Sequence, residues 1–142
     1  MIEEEGLDNV FARHHRLAEA TRRAVRVWRQ NDGPEIFAVD PRAQSDSITA
    51  VQLAEGYDAD KVRQLCLDKF NVSLGGGLDR LRGHVFRIGH LGDLNEGMLL
   101  GALATTEMAL ALAGIPHKKG GVQAAMDYVT SAHAGSARAA AE

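Results

Sequence analysis

The sequence predicts one small α+β domain, in which a mostly antiparallel sheet is covered on one face by helices and a long amphipathic helix comes first. Three observations lead to this prediction. A chain of 142 residues with 45% hydrophobic and 25% charged side chains is long enough for one globular core and short for two. Segments of helical periodicity alternate with short strand-like segments, in the order helix, strand, strand, helix, strand, strand, helix, helix. Short strands joined in this way favour antiparallel or mixed pairing.

The chain opens with a short acidic segment that is followed by a long periodic one. Residues 2–5 are typical of a helix end with Gly6 as the C′ residue, so we expect the natural chain to continue upstream. From Leu7 the apolar residues recur at steps of three and four, which predicts an amphipathic helix over about residues 8–30. Asp8 is the expected N-cap. We interpret the arginines on the other side of this helix as a solvated face.

Two strands and a helix are predicted next. Residues 36–39 and 48–53 have strand character, and residues 40–46 between them form a loop. Asp58 is expected to cap a helix over about residues 59–70. The inward stripe of that helix consists of Val62, Leu65, Cys66, Phe70 and the apolar stem of Lys69. We interpret Cys66 as a small core residue rather than a nucleophile.

The sequence after Asn71 predicts two more strands, at residues 72–74 and 85–88. The glycine run between them, Gly75 to Gly77, is expected to form a loop. A phosphate cradle would require this run to lead into a helix N-terminus, whereas here the chain soon returns to a strand. A loop that passes close to a ligand or to another domain fits the sequence better.

Two helices complete the predicted fold. Asp93 stands three residues before Glu96, a capping-box spacing that predicts a helix as far as about residue 113. This segment is apolar almost all round, so we expect a central, buried helix. A last helix is predicted over residues 121–132, with Val122, Ala125, Met126 and Val129 facing inward. The predicted organisation is one domain over residues 1–133 with a flexible tail over residues 134–142.

Charge and composition argue against several classes of partner. The net charge is −3, from 16 basic and 19 acidic side chains, and a dedicated nucleic-acid binder usually has a basic surplus. No stretch approaches 18 uncharged apolar residues, so no membrane-spanning segment is predicted. The single cysteine cannot form an internal disulfide, which favours a reducing compartment, most simply the cytoplasm.

The polar residues do not form a familiar metal or hydrolase motif. Six histidines are present, but no His-x₃-His pair or Cys-x-x-Cys sequence provides the convergent ligands of a zinc site. We therefore predict no metal site. The serines lack the Gly-x-Ser-x-Gly context of a hydrolase nucleophile, and no catalytic residue is assigned to this chain.

Arg87 is the charge that requires an explanation. It lies within the otherwise apolar segment Val85-Phe86-Arg87-Ile88-Gly89, where a cation is costly unless an anion meets it. One interpretation is a buried salt bridge, for example with Asp93 or Glu96. The other is a guanidinium fork that binds a substrate carboxylate through two parallel hydrogen bonds. The residues alone leave these two interpretations open.

Phe86 to Glu96, with the sequence Phe-Arg-Ile-Gly-His-Leu-Gly-Asp-Leu-Asn-Glu, resembles the signature near the C-terminus of serine–glyoxylate aminotransferases. These belong to class V of the fold-type-I pyridoxal-phosphate enzymes, together with the serine–pyruvate and alanine–glyoxylate aminotransferases. Segments 9–25, 73–78 and 114–122 resemble the same family in the same order. The likeness extends from Glu3 to Tyr128 and identifies the chain with the C-terminal small domain.

The resemblance implies roles for three residues. In this family the arginine of the Arg-Ile-Gly strand binds the substrate carboxylate, and Arg87 occupies that place. Gly76 would lie in a loop facing the cofactor side of the cleft, and His90 would line the same cleft. The implied substrates are small amino and keto acids, with the amino group passing from serine or alanine to glyoxylate or pyruvate.

The family chemistry also needs a lysine that forms a Schiff base with pyridoxal phosphate. In the family that lysine belongs to the large domain, and none of Lys61, Lys69, Lys118 and Lys119 matches its motif. We therefore expect pyridoxal phosphate in the intact protein, no covalent cofactor on this chain, and no activity without the large domain. The alternative is a non-catalytic module for small-molecule binding or oligomerisation. Exposure of the surface that meets the large domain predicts a homo-oligomer.

Overall fold

Four short strands form one antiparallel sheet in the order β1-β2-β4-β3. The structure, a computed structural model, describes residues 2–139. The strands are β1 (Glu35–Ile36), β2 (Ile48–Gln52), β3 (Gly75–Gly76) and β4 (Val85–Gly89). The helices are α1 (Ile2–Glu5), α2 (Leu7–Trp28), α3 (Ala59–Phe70), α4 (Glu96–Leu112) and α5 (Gly121–Ala139). The α+β class and the antiparallel sheet are confirmed.

The core lies between one face of the sheet and the helices. Alternation along β4 turns Phe86 and Ile88 to this face, and both are buried, as is Val51 on β2. Trp28 and Leu17 of α2 meet them in the same buried cluster. On the opposite face of β4, Val85 is also buried, but Arg87 is half-buried and Gly89 is exposed, and we call this side of the sheet the open face.

Glu107 on α4 joins three elements of the helical layer. Its carboxylate accepts hydrogen bonds from Trp28 Nε1 at 2.8 Å, the Gly120 amide at 2.8 Å and the Val122 amide at 3.3 Å. Burial works against the charged form, but these hydrogen bonds outweigh it and lower the pKa of Glu107. The carboxylate thus caps the N-terminus of α5 and satisfies the indole of α2.

The middle of the chain agrees closely with its prediction. Asp58 caps α3 by accepting from the Asp60 amide at 2.8 Å, and Asn71 ends the helix in the left-handed region. Cys66 is buried, as predicted, and burial raises the pKa of its thiol to about 11. Lys69 departs from the prediction, because its side chain is exposed rather than part of the inward stripe.

Two predicted helix caps are each wrong by two residues. Helix α2 begins at Leu7, so Asp8 lies in its first turn, and the capping position is held by Gly6 with a φ of 82°. Helix α4 begins at Glu96 and is capped by Asn95, whose Oδ1 accepts from the Met98 amide at 2.9 Å. Asp93 is too far from the first free amide to fill that position.

The third strand lies in the glycine run rather than before it. Residues 72–74 were expected to pair, but Val72 donates its amide to Cys66 O and Leu74 O accepts from Arg63 Nε, so this segment is bound to α3. Pairing with β4 starts only at Gly75. The predicted loop at Gly75 and Gly76 is therefore the edge strand β3. The first strand is also shifted, to Glu35–Ile36.

Helix α4 is not buried all round. Leu99, Leu103 and Leu110 are fully buried, whereas Met98 and Leu112 are more than half exposed. The helix therefore covers the core with one face, because the neighbouring helices α2, α3 and α5 reach only that side. Its outer face is apolar but open.

The last helix is longer than predicted and differs on one inward residue. It continues to Ala139, and Met126 is 43% exposed, whereas Ala125 and Val129 are buried as expected. The domain boundary at residue 133 and the flexible tail stay predictions, and residues 140–142 of that tail lie outside the described part. Within residues 2–139 no helix is long and apolar enough to cross a membrane.

Candidate functional site

Arg87 lies at the centre of the open face of the sheet. It alternates with the buried residues Phe86 and Ile88, and its own side chain is half-buried. In the register it stands between Ala50 on β2 and Gly75 on β3. Both neighbours are small, so no bulky side chain from an adjacent strand covers the guanidinium. The strand that is apolar in sequence therefore presents its one charge on its uncovered side.

The contacts of Arg87 bear on the salt-bridge interpretation that the sequence left open. Its Nε donates to the carbonyl oxygen of Gly76 at 2.8 Å. Among the described residues no carboxylate lies within 4.0 Å of its guanidinium nitrogens. Glu96, one of the expected partners, instead forms its ion pair with Arg16 at 2.9 Å. The predicted internal salt bridge is thus not formed in this part of the chain.

This arrangement leaves the Arg87 Nη atoms without a protein acceptor among residues 2–139. The Nε hydrogen bond fixes the plane of the guanidinium, and the two Nη groups carry the remaining N–H donors. A planar guanidinium with free Nη donors has the geometry that matches the two oxygens of a carboxylate. The open face of the sheet therefore presents guanidinium donors that the described residues do not use.

Gly75, Gly76 and Gly77 lack side chains for three different reasons. A Cβ at Gly75 would lie 3.2 Å from Arg87 Cβ, and one at Gly76 would lie 2.9 Å from Arg63 Nη1. A Cβ at Gly77 would lie 2.0 Å from the carbonyl oxygen of Leu81. The three glycines therefore allow close packing: Gly75 and Gly76 do so on the two faces of β3, and Gly77 does so in the turn that follows.

Gly76, which the sequence placed beside the ligand, is in direct contact with Arg87 through its carbonyl oxygen. His90 is placed differently. It is fully buried, with Nδ1 3.0 Å from Asp46 O and Nε2 2.9 Å from Thr49 Oγ1. Burial lowers its pKa to about 4, so the ring is neutral.

The environment of His90 also fixes its tautomer. A carbonyl oxygen only accepts, so Nδ1 carries the proton and donates to Asp46 O, and Nε2 accepts from the Thr49 hydroxyl. His90 continues the alternation of β4 on the covered side, opposite to Arg87. In the described chain the ring is thus a core side chain on the face opposite to Arg87, and its role in lining a cleft stays a prediction.

All four lysines of this chain are exposed. Lys61 and Lys69 are exposed on α3, and Lys118 Nζ is hydrogen-bonded to Gln30 Oε1 at 2.7 Å. Lys119 is exposed in the same loop. No helix N-terminus follows the glycine run, which leads instead into a short 3₁₀ turn. The Schiff-base amine and the phosphate cradle stay predicted for the large domain.

Two features of the site were not found by sequence reasoning. Gly75 was assigned to a loop, because a glycine run is typical of loops, and its contact with Arg87 arises only from strand pairing across 12 residues.

The arginine face of α2 is not simply solvated. Arg22 is 5% exposed, and Glu19 forms ion pairs with Arg22, Arg23 and Arg26. The sequence did contain a signal for these ion pairs, because Arg22, Arg23 and Arg26 follow Glu19 by three, four and seven residues, which places them on the same side of a helix.

No protein-family model matches this chain. Curated aminotransferases match it over most of its length. The L-aspartate–glyoxylate aminotransferase of Paracoccus denitrificans is 43% identical over 138 residues, which cover 96% of this chain and 34% of that protein. The serine–glyoxylate aminotransferase of Methylorubrum extorquens is 47% identical over 127 residues, which cover 89% of this chain and 31% of that protein. The chain thus spans about a third of the length of the curated relatives it matches.

Solved structures show the same relationship in three dimensions. Pyridoxamine–pyruvate aminotransferase from Mesorhizobium loti superposes with a TM-score of 0.82 at 28% identity, covering 91% of this chain and 32% of that one. Ureidoglycine–glyoxylate aminotransferase from Bacillus subtilis gives a TM-score of 0.80 at 27% identity, with coverage of 89% and 32%. The helix-covered antiparallel sheet of this chain is therefore the fold of a part of those proteins.

Proposed function

Because this chain belongs to the class V glyoxylate aminotransferases and corresponds to their C-terminal domain, we propose that Arg87 binds the carboxylate of an amino or keto acid substrate. The observation that carries the proposal is the isolation of its guanidinium. The Nε atom is bound to Gly76 O at 2.8 Å, and no described carboxylate neutralises the charge. A half-buried cation with free Nη donors is a site for an external anion.

The role proposed for Arg87 is orientation. An amino acid donor and a keto acid acceptor share an α-carboxylate, so one guanidinium can hold each in turn. A bidentate pair fixes the plane of that carboxylate, and with it the position of the α-carbon. The small side chain of Ala50 leaves room for the rest of a small substrate on the same face.

The cofactor belongs to another part of the intact protein in this proposal. Pyridoxal phosphate, when bound by a large domain with its lysine, supplies the electron sink for amino-group transfer. We propose serine or alanine as donor and glyoxylate or pyruvate as acceptor, and a large domain as the partner of the open face. The 142-residue chain alone is proposed to be inactive, and the cytoplasm is its proposed location.

A titration of the chain with pyruvate tests the proposal. The arginine Nε–H signals in a ¹H–¹⁵N spectrum are followed, and the Arg87 signal is identified by its loss in Arg87→Met. We expect saturable shifts of this signal, and of the backbone amide signals of Ala50 and Gly75 that also report binding in the Arg87 variants, with a dissociation constant on the order of millimolar or weaker, because one half-buried ion pair provides little affinity. The Arg87→Lys variant keeps the charge without the fork, so it is expected to bind more weakly than the wild type.

Equal pyruvate affinity in the wild type and Arg87→Met would overturn the assignment of Arg87. A parallel assay of serine with glyoxylate and added pyridoxal phosphate tests the proposed inactivity. Turnover by the purified chain, with a Schiff-base absorbance, would contradict it.

A second candidate, self-association, is favoured by the outer face of α4. Met98, Met108 and Leu112 are 54%, 45% and 58% exposed, and exposed apolar residues of this kind tend to be covered in an assembly. We propose a homo-oligomer, a dimer or larger. Light scattering over a concentration series tests this, and a monomer at the highest concentration would contradict it.

A further inference from the structure

The strand beside Arg87 is built from two glycines that lie between two guanidinium groups. On the open face, a Cβ added to Gly75 would lie 3.2 Å from both Cβ and Nε of Arg87. On the covered face, a Cβ added to Gly76 would lie 2.9 Å from Nη1 of Arg63. Real Cβ atoms rarely approach other heavy atoms so closely, so the Arg87 stem occupies the space that a side chain at position 75 would fill.

The backbone of Gly75 does not itself demand glycine. Glycines such as Gly83 and Gly114 adopt φ values of 73° and 72°, where other residues are strained, whereas Gly75 has no such positive φ and pairs as a regular strand residue. Strand interiors usually disfavour glycine, which offers nothing to pack and costs conformational entropy. The close approach of Arg87 is therefore the feature that explains the glycine.

The approach of Arg87 also determines its hydrogen bond. With its stem lying flat over β3, the Nε atom reaches Gly76 O at 2.8 Å, a bond to the neighbouring residue of the same strand. A methyl group at position 75 would lift the stem, because Arg87 Cβ is fixed by β4 and only the outer atoms can move. Lifting the stem breaks the Nε bond and releases the guanidinium to several rotamers.

We infer that Gly75 is a positioning residue for Arg87. Its missing side chain allows the guanidinium to lie on β3, where Gly76 O holds Nε and the two Nη donors face outward before any ligand arrives. The inference rests on the proposed role of Arg87 as the carboxylate binder. It adds a specificity element in the edge strand, and it explains why two consecutive glycines serve as a strand.

The experiment compares Gly75→Ala and Gly75→Val with the matched control Gly89→Ala. Gly89 is in the same sheet and two residues from Arg87, but its added Cβ would meet nothing within 4 Å. Two readouts are taken: hydrogen exchange of the Arg87 Nε–H, and pyruvate affinity from the shift of that signal. In the wild type and Gly89→Ala we expect a protected Nε–H and equal affinity.

In the Gly75 variants we expect faster exchange of the Arg87 Nε–H and pyruvate binding that is weaker by roughly three- to tenfold, the range expected for ordering one freed side chain on binding. Both effects should be larger in Gly75→Val than in Gly75→Ala, because the γ carbons of valine would fill the place of the guanidinium stem. Thermal unfolding and backbone amide spectra are recorded for each variant. If Gly75→Val does not fold, Gly75→Ala with a native amide spectrum carries the test.

Unchanged Nε–H protection and affinity in a folded Gly75→Ala or Gly75→Val would overturn the inference. That result is distinct from failure of the proposed function. If Arg87 does not bind carboxylates, Arg87→Met binds pyruvate like the wild type, whereas the Nε–H exchange of the Gly75 variants still reports whether Gly75 positions Arg87.

Discussion

The covered and open faces of the sheet are made by the same strands but have opposite properties. On the covered face, Phe86 and Ile88 of β4 pack with Val51 of β2, and all three are almost completely buried. On the open face, the residues between them, Arg87 and Ala50, leave a single guanidinium beside small side chains. Alternation along one strand therefore separates residues that stabilise the fold from a residue that is available for a ligand.

Polar atoms are closely packed on one face and left without a partner among the described residues on the other, at two positions only three residues apart, His90 and Arg87. His90 has both ring nitrogens bound by protein atoms on the covered face. Arg87 has only Nε bound, to Gly76 O. A buried polar group without partners is costly, so the two hydrogen bonds of His90 are needed to offset its burial. The Nη donors of Arg87 can do without protein partners because the half-buried side chain reaches solvent.

The largest expected effect is at Phe86. Replacing this fully buried ring by alanine in Phe86→Ala leaves a cavity between the sheet and the helices that cover it, and we expect the free energy of unfolding to fall by about 3–5 kcal/mol. Urea denaturation followed by circular dichroism measures this change. A loss below about 1 kcal/mol would show that the covered face is not the main stabilising surface and would break the comparison.

The second effect is a pH dependence that originates at His90. An unfolded histidine binds a proton near its ordinary pKa of 6.5, whereas burial keeps the folded ring neutral down to about pH 4. Protons therefore bind the unfolded state preferentially in this window. The contribution of the neutral His90 ring to the free energy of unfolding is fully present above pH 6.5. It is lost as the pH falls towards 4, and the total loss is about 3 kcal/mol.

Urea denaturation at intervals between pH 7 and pH 4.5 measures the dependence in the wild type and in His90→Gln. The variant has no imidazole to protonate, so its stability should change little over the same range, although it is expected to be less stable at pH 7. Parallel curves for the two proteins would assign the pH dependence to other groups. Thr49→Val is a useful companion, because it removes the hydroxyl that His90 Nε2 accepts from.

The elements with strong local signals could be predicted from the sequence. The polar cap of Asp58, the end of α3 at residue 70 and the periodic stripe of α2 are set by nearby residues, and all three are found in the structure. The strand that carries Arg87 was predicted over residues 85–88 and is found at Val85–Gly89. These predictions succeed because each depends on interactions within about one turn or one strand.

What the sequence could not predict depends on long-range contacts. The strand at Gly75–Gly76 has no side chains to give it strand character, and only pairing with β4 defines it. His90 belongs to the same short motif as Arg87, but its burial depends on Thr49 and Asp46, more than 40 residues earlier. The outer face of α4 is as apolar as its inner face, so the sequence gives no sign of which side the other helices leave open.

The smallest expected effect is the one that sharpens the comparison most. Arg87→Met keeps the apolar stem over β3 and removes the charge, which has no ion pair among the described residues, so we expect the free energy of unfolding to change by no more than about 1 kcal/mol. The one lost hydrogen bond, to Gly76 O, is half-exposed, and water can replace it. Urea denaturation beside Phe86→Ala gives the measurement. A loss above about 2 kcal/mol would mean that the guanidinium itself stabilises the sheet. In that case the two faces of β4 would not be divided between fold and ligand.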